Sequence, residues 1–156
     1  MIIGIDPGFS GAIAFLHNNN KLIVNDMPLV KINNRKQVDC DKINELIKTA
    51  KINSKNFNFA AIEDVHSMPG QGVASTFRFG YNAGILLGIL KSNDIKVLRV
   101  RPTVWKSALG LSRKKSESLM LAKKIFPYYK TYFNRAKDDG RAEAALLAYY
   151  AKQSFG

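Results

Sequence analysis

Cysteine is almost missing from this chain. Cys40 is the only one among 156 residues, so an internal disulfide and a cysteine-built zinc site are both excluded. It sits among polar residues at an expected helix start, with nothing nearby to activate a thiol. Acid is also scarce: 12 Asp and Glu stand against 24 Lys and Arg, a formal net charge of +12. That imbalance favours polyanionic partners, nucleic acid first and anionic membrane surfaces second. Long apolar runs are lacking as well. The stretch from Ile85 to Leu90 is too short to cross a bilayer, and the N-terminus has neither a basic flank nor a cleavage site. The expected setting is therefore reducing, soluble and cytoplasmic, with no membrane partner.

What is present suffices for a core. The chain is 46% hydrophobic and 23% charged, and its length suits one domain over 1–156. No internal repeat, low-complexity segment or linker breaks it. IIGID (2–6) reads as a short apolar strand, PGFSG as a turn, AIAFLH (12–17) as a second strand, HNNNK as a hairpin turn and KLIVND as a third strand. Residues 28–38 read as a loop. From Asp39 to Lys51, apolar residues recur at Ile43, Leu46, Ile47 and Ala50 with a helical period. FNFAAIED (57–64) is a buried strand ending in acid, 72–92 a long helix, and IKVLRV (95–100) a strand. Pro102 opens a helix to about Leu109. LSRKKSESLMLAKKIF is amphipathic with Ser112 as its expected cap, and a last helix starts near Asp138 or Asp139. Strands alternating with helices after an antiparallel start imply an α/β fold with a mixed five-stranded sheet, three antiparallel strands then two parallel, flanked by helices.

Because acids are few, their placement is informative. Asp6 ends the first strand, Glu63 ends the buried strand, and Asp138, Asp139 and Glu143 cluster in KDDGRAEAALLAYYA. Asp139 and Glu143 are four apart and share a helix face, where like charges repel unless a cation lies between them. An oxygen-rich cluster of this kind suits Mg²⁺ or Mn²⁺. Each acid has a plainer reading too: Asp6 as the cap of its Pro-Gly turn, Glu63 as a lysine partner, Asp139 and Glu143 as the acidic first turn of a helix.

GIDPG (4–8), IED (62–64) and DDGRAEA (138–144), in this order of strands and helices, resemble the RuvC-type Holliday junction resolvases, and EDVHSMPGQGVASTFRFG (63–80) is similar to phage-type members. The resemblance implies an RNase H-like fold, a homodimer, a bacterial or phage-infected host cell, and symmetric metal-dependent cleavage of branched DNA to 5′-phosphate and 3′-hydroxyl ends. It implies that Asp6, Glu63, Asp139 and Glu143 hold Mg²⁺ (or Mn²⁺), two ions per site, with Asp138 as the alternative to Asp139. Members commonly place the final acid pair three apart, a position that is Gly140 here. RPTVWK (101–106) and SRKKSE (112–117) are similar to the family's basic segment, implying DNA contacts by Lys106, Arg113, Lys114 and Lys115, with Lys106 and one of Lys114 or Lys115 at the scissile phosphate or its neighbours; the plainer reading is a solvated helix face.

Gly70 and Gly72 in the 66–80 loop allow close approach to DNA, with His66, Met68, Gln71 and Arg78 as candidate contacts. Phe77 and Phe79 also offer stacking or wedging surfaces, with the core as the favoured reading. Gly80, Gly84 and Gly88 make a smooth helical stripe, either packed on the domain's own sheet or forming a dimer seam. His17, at a strand end, reads as structural. Two other functions compete: an RNase H-like nuclease on RNA/DNA hybrids or flaps, and a DNA-binding module without catalysis. A sugar-kinase-like ATPase would need a second domain, which 156 residues do not accommodate.

Overall fold

The computed structural model describes residues 1–52, 54, 59–64, 70 and 72–156. Three strands, β1 (Ile2–Asp6), β2 (Ala12–Leu16) and β3 (Leu22–Asp26), form the antiparallel start. They are followed by β4 (Leu29–Ile32), β5 (Arg35–Val38) and α1 (Cys40–Ile52). Then come β6 (Phe59–Glu63), α2 (Val73–Ser92), β7 (Val97–Val100), α3 (Pro102–Ala108), α4 (Lys115–Ile125) and, after 3₁₀ turns over 127–138, α5 (Asp139–Phe155). The main sheet runs β3-β2-β1-β6-β7, with β1, β6 and β7 mutually parallel. This is the mixed sheet expected from the sequence.

β1 is the central strand and is apolar on both faces. One face, with Ile2, packs into a cluster built by α5, α4 and Trp105; the other, with Ile3 and Ile5, packs against α1 and α2. The close fit of α5 on β1 rests on small residues. A Cβ on Gly4 would lie 2.0 Å from the Ala144 carbonyl oxygen, so only glycine admits the helix at this depth. Ala142, Ala144, Ala145, Ala148 and Ala151 are all fully buried along the same helix.

Three expectations need correction. Residues 28–38 are not a loop but a two-stranded antiparallel hairpin, β4–β5, whose turn residues Asn33 and Asn34 take φ of 47° and 61°. Asparagine tolerates this left-handed pair better than most residues, and the pair matches strand twist. Ser112 does not cap α4. The N-cap is Lys114, while Ser112 accepts a hydrogen bond from the Lys114 amide (3.1 Å) and its own amide donates to Glu117 (2.7 Å). Asp39, by contrast, does cap α1, accepting from the Lys42 amide at 3.0 Å.

The third correction concerns α2. Phe77 is not in the core: it is 71% exposed and stacks on Tyr81 at 6.2 Å, whereas Phe79 is half-buried. Nor does the Gly80, Gly84 and Gly88 stripe pack on the sheet, since a Cβ at any of the three would meet nothing within 4 Å. By length and composition α2 could cross a membrane; here its Ala83, Leu86, Ile89 and Leu90 are buried, the last three within the cluster on the sheet face.

Candidate active site

The carboxyl ends of parallel strands are where an open α/β sheet offers a crevice. β1 and β6 end side by side there. Ile5 pairs with Ile62, so the next residues in register are Asp6 and Glu63, and in each strand the acid is the first residue to leave full burial. The Asp6 carboxylate accepts a hydrogen bond from the Gly8 amide at 3.1 Å. It caps its turn and faces the site at once; the two readings of that residue are compatible.

The start of α5 lands on the same turn. A Cβ on Gly140 would lie 2.2 Å from the Ser10 carbonyl oxygen and 2.8 Å from Gly11 Cα. That contact explains why no acid stands three residues before Glu143: no side chain fits. It also sets Asp139 and Glu143 near Asp6. Burial first, then the charges of Glu63, Glu143 and Asp139, push the Asp6 carboxyl up to about 7 against the Gly8 hydrogen bond. Glu63 is also raised, by burial and Glu143, opposed by the hydrogen bond from Trp105 and by Lys106.

Lysines lie on two of these acids. Lys106 Nζ is 2.7 Å from Glu143 Oε1 with both side chains largely buried, and the buried Ser118 hydroxyl donates to the same oxygen at 3.3 Å. Lys115 Nζ is 2.5 Å from Asp139 Oδ2. Among the described residues no three carboxylates are gathered at ligating distance, and Glu143 and Asp139 each carry a lysine. The donor set is nonetheless all carboxylate oxygen, mutually repelling and partly desolvated. A hard divalent cation fits such a set.

The other candidates divide clearly. Asp138 does not point into this cluster. It is buried and bound to Arg135, accepting from its amide at 2.8 Å and its guanidinium at 2.7 and 3.0 Å, with Arg141 at 3.8 Å. The neighbouring guanidinium groups overcome its burial and hold its pKa low. Asp138 thus fastens the turn into α5 through Arg135, while Asp139 carries Lys115. Arg113 and Lys106 line a groove of about 880 Å³ with Asp64, Arg101, Thr103, Ser107 and Ser112. Arg78 lines a smaller cleft with Pro7, Phe9 and Phe79. Lys114 begins α4. His17 lies in the β2–β3 turn, its amide donating to the Lys21 carbonyl at 2.9 Å. His66, Met68 and Gln71 lie outside the described residues.

Sequence reasoning missed two residues. Ser118 holds Glu143, and Trp105 donates its indole N–H to Glu63 Oε1 at 3.2 Å. Trp105 stood next to Lys106 in the RPTVWK segment, and a buried tryptophan ordinarily needs a partner for its N–H.

Across 99% of this chain and 96% of the other, the backbone matches Thermus thermophilus RuvC in complex with a Holliday junction substrate, at TM-score 0.59 and 14% identity. The fold is that of RuvC. A second neighbour, the yeast mitochondrial Holliday junction resolvase Ydc2, matches at TM-score 0.51 and 16% identity, over 96% of this chain and 76% of that one. In sequence, 86 residues are 33% identical to the chloroplastic Holliday junction resolvase MOC1 of Chlamydomonas reinhardtii. That match spans 54% of this chain but only 10% of MOC1. No family model matches. The RuvC likeness read from three short acidic motifs therefore extends to the whole backbone.

Proposed function

We propose that the chain is a metal-dependent endonuclease that resolves Holliday junctions and other branched DNA. The observation that carries this reading is the placing of Asp6 and Glu63 side by side at the carboxyl ends of β1 and β6, with Asp139 and Glu143 of α5 near enough to raise Asp6, within a RuvC fold and beside a basic groove. Those four carboxylates would hold Mg²⁺ or Mn²⁺, two ions per site, which when bound supply an activated water and charge stabilisation for the leaving oxygen. The strand ends fix Asp6 and Glu63. α5 brings Asp139 and Glu143. Lys106, alternately on Glu143 or on a phosphate oxygen, offsets negative charge where it develops. Arg101 and Arg113 along the groove, with Lys114 and Lys115, attract the DNA backbone through an electrostatic attraction that salt weakens.

The test is cleavage of a synthetic mobile four-way junction in Mg²⁺. Wild type is expected to cut symmetrically and to stop in EDTA; Glu143→Gln is expected to bind the junction and leave it whole. Equal cutting by both proteins, or cutting in EDTA, removes the assignment. Preference for an RNA/DNA hybrid over the junction would favour the RNase H-like alternative, and binding without cutting by wild type the non-catalytic one.

A two-fold homodimer would present two such sites to the two equivalent strands of a junction. The open stripe on α2, with Val73 at 88% and Phe77 at 71% exposure alongside Gly80 and Gly84, supports that reading. Two substitutions at Gly84 separate helix from seam. Gly84→Ala is expected to leave assembly intact and raise stability by about 0.5–1 kcal/mol through helix propensity. Gly84→Leu should split the dimer in analytical ultracentrifugation. A Gly84→Leu protein that sediments as wild type places the seam elsewhere.

A further inference from the structure

Trp105 is the only tryptophan in the chain and is completely buried, in the apolar cluster beneath α4 and α5. A buried tryptophan ordinarily finds a partner for its N–H. This one directs it to Glu63 Oε1 at 3.2 Å. Its ring also lies under Lys106, with Nζ 5.2 Å from the ring centroid, and Lys106 in turn reaches Glu143 at 2.7 Å. The chain of contacts runs from the end of β6, through one rigid side chain on α3, to the acid on α5.

We propose that Trp105 is a positioning residue: its indole N–H fixes the rotamer of Glu63 while its ring face fixes Lys106, so one buried side chain sets both an acid and the cation of the same site. The physical reason is rigidity. A glutamate has three rotatable bonds, and at a strand end it sweeps a wide arc. A charge-assisted hydrogen bond from a group that cannot itself move removes most of that freedom. The bond also occupies a single lone pair of Oε1, leaving Oε2 for a ligand. α3 is short and begins at Pro102, directly after β7, so the indole is held by the strand paired in parallel with β6, which carries Glu63. Partners of metal-binding groups commonly contribute 10–100-fold to affinity or rate. The proposal rests on the metal-dependent nuclease reading above.

The test removes the hydrogen bond and keeps the shape. Trp105→3-benzothienylalanine replaces the indole N–H by sulfur with little change in volume. The Mg²⁺ concentration giving half-maximal junction cleavage is expected to rise about tenfold or more, with the KM for junction unchanged and the melting temperature in EDTA close to that of wild type. A space-filling role would leave the Mg²⁺ dependence alone. A second readout needs no turnover. Because Trp105 is the sole tryptophan, wild-type emission should shift on adding Mg²⁺ alone, and the shift should vanish in Glu63→Gln. Wild-type Mg²⁺ dependence in the benzothienyl protein, or emission indifferent to Mg²⁺ in a wild type that cuts junctions, overturns the positioning role. A wild type that neither cuts a junction nor responds to Mg²⁺ overturns the nuclease reading itself, and this role with it; the cleavage assay on wild type tells the two failures apart.

Discussion

Asp6→Asn is expected to abolish junction cleavage and to make the metal-free protein more stable. Loss of the central carboxylate should lower the single-turnover rate by about 10³-fold or more, on the order of 4 kcal/mol of barrier. The gain in stability follows from the raised carboxyl. With a folded pKa of about 7 against an ordinary 3.8, both states hold the proton in strong acid and the group is neutral to stability. As pH rises the unfolded chain ionises first, so the fold loses stability between roughly pH 4 and 7, and above pH 7 the deficit is complete. Keeping this buried carboxylate ionised costs the fold about 4 kcal/mol at most. Asparagine keeps an oxygen for the Gly8 amide and carries no charge, so the deficit disappears. In EDTA, the melting temperature of wild type should fall relative to Asp6→Asn from pH 4 to pH 8. Mg²⁺ should raise that of wild type by linkage and leave that of the variant alone. Parallel melting curves across this range would mean that Asp6 carries no such burden.

Gly140→Asp should unfold or severely destabilise the protein, although it restores the acid spacing common among RuvC-like chains. The new Cβ would sit 2.2 Å from the Ser10 carbonyl oxygen and 2.8 Å from Gly11 Cα, both backbone atoms that cannot swing aside. α5 would have to lift from the turn after Asp6. Overpacking of this kind costs about 3 kcal/mol or more, and any residual folded protein would have Asp139 and Glu143 displaced from Asp6. Chemical denaturation measures the first effect. Adding Asp139→Ala to Gly140→Asp tests the second, because a transplanted ligand would rescue cleavage and a steric intruder would not. Rescue would show that Gly140 marks a ligand position.

These two positions show what could be read in the sequence. β1, β2 and β6 announce themselves because strands buried on both faces are nearly all apolar, and Asp6 and Glu63 stand out as the residues that end them. Asp138 and Asp139 are indistinguishable as letters. Only the guanidinium of Arg135, three residues earlier and folded onto Asp138, separates a structural acid from one that faces the site. The β4–β5 hairpin escaped because VKINNRKQV has exposed or half-exposed residues along most of both strands, so no alternation marks it; adjacent asparagines were its one signal. Phe77 is apolar yet lies on a helix face left uncovered by its own domain, which nothing in its sequence neighbourhood marks.

The placing of β1 in the sheet also governs how the protein can be made. The strand that leaves the ribosome early sits in the middle, between β2 and β6, and the helix that covers it is α5, from Asp139 onward. Until that helix is synthesised, Ile2 and its neighbours on β2 have no apolar cover, and partly made chains expose a sticky hairpin. A nascent polypeptide stopped short of residue 139 would lack much of its core and half its acid cluster together. Competence to fold and the full set of site acids therefore arrive with the same few seconds of translation.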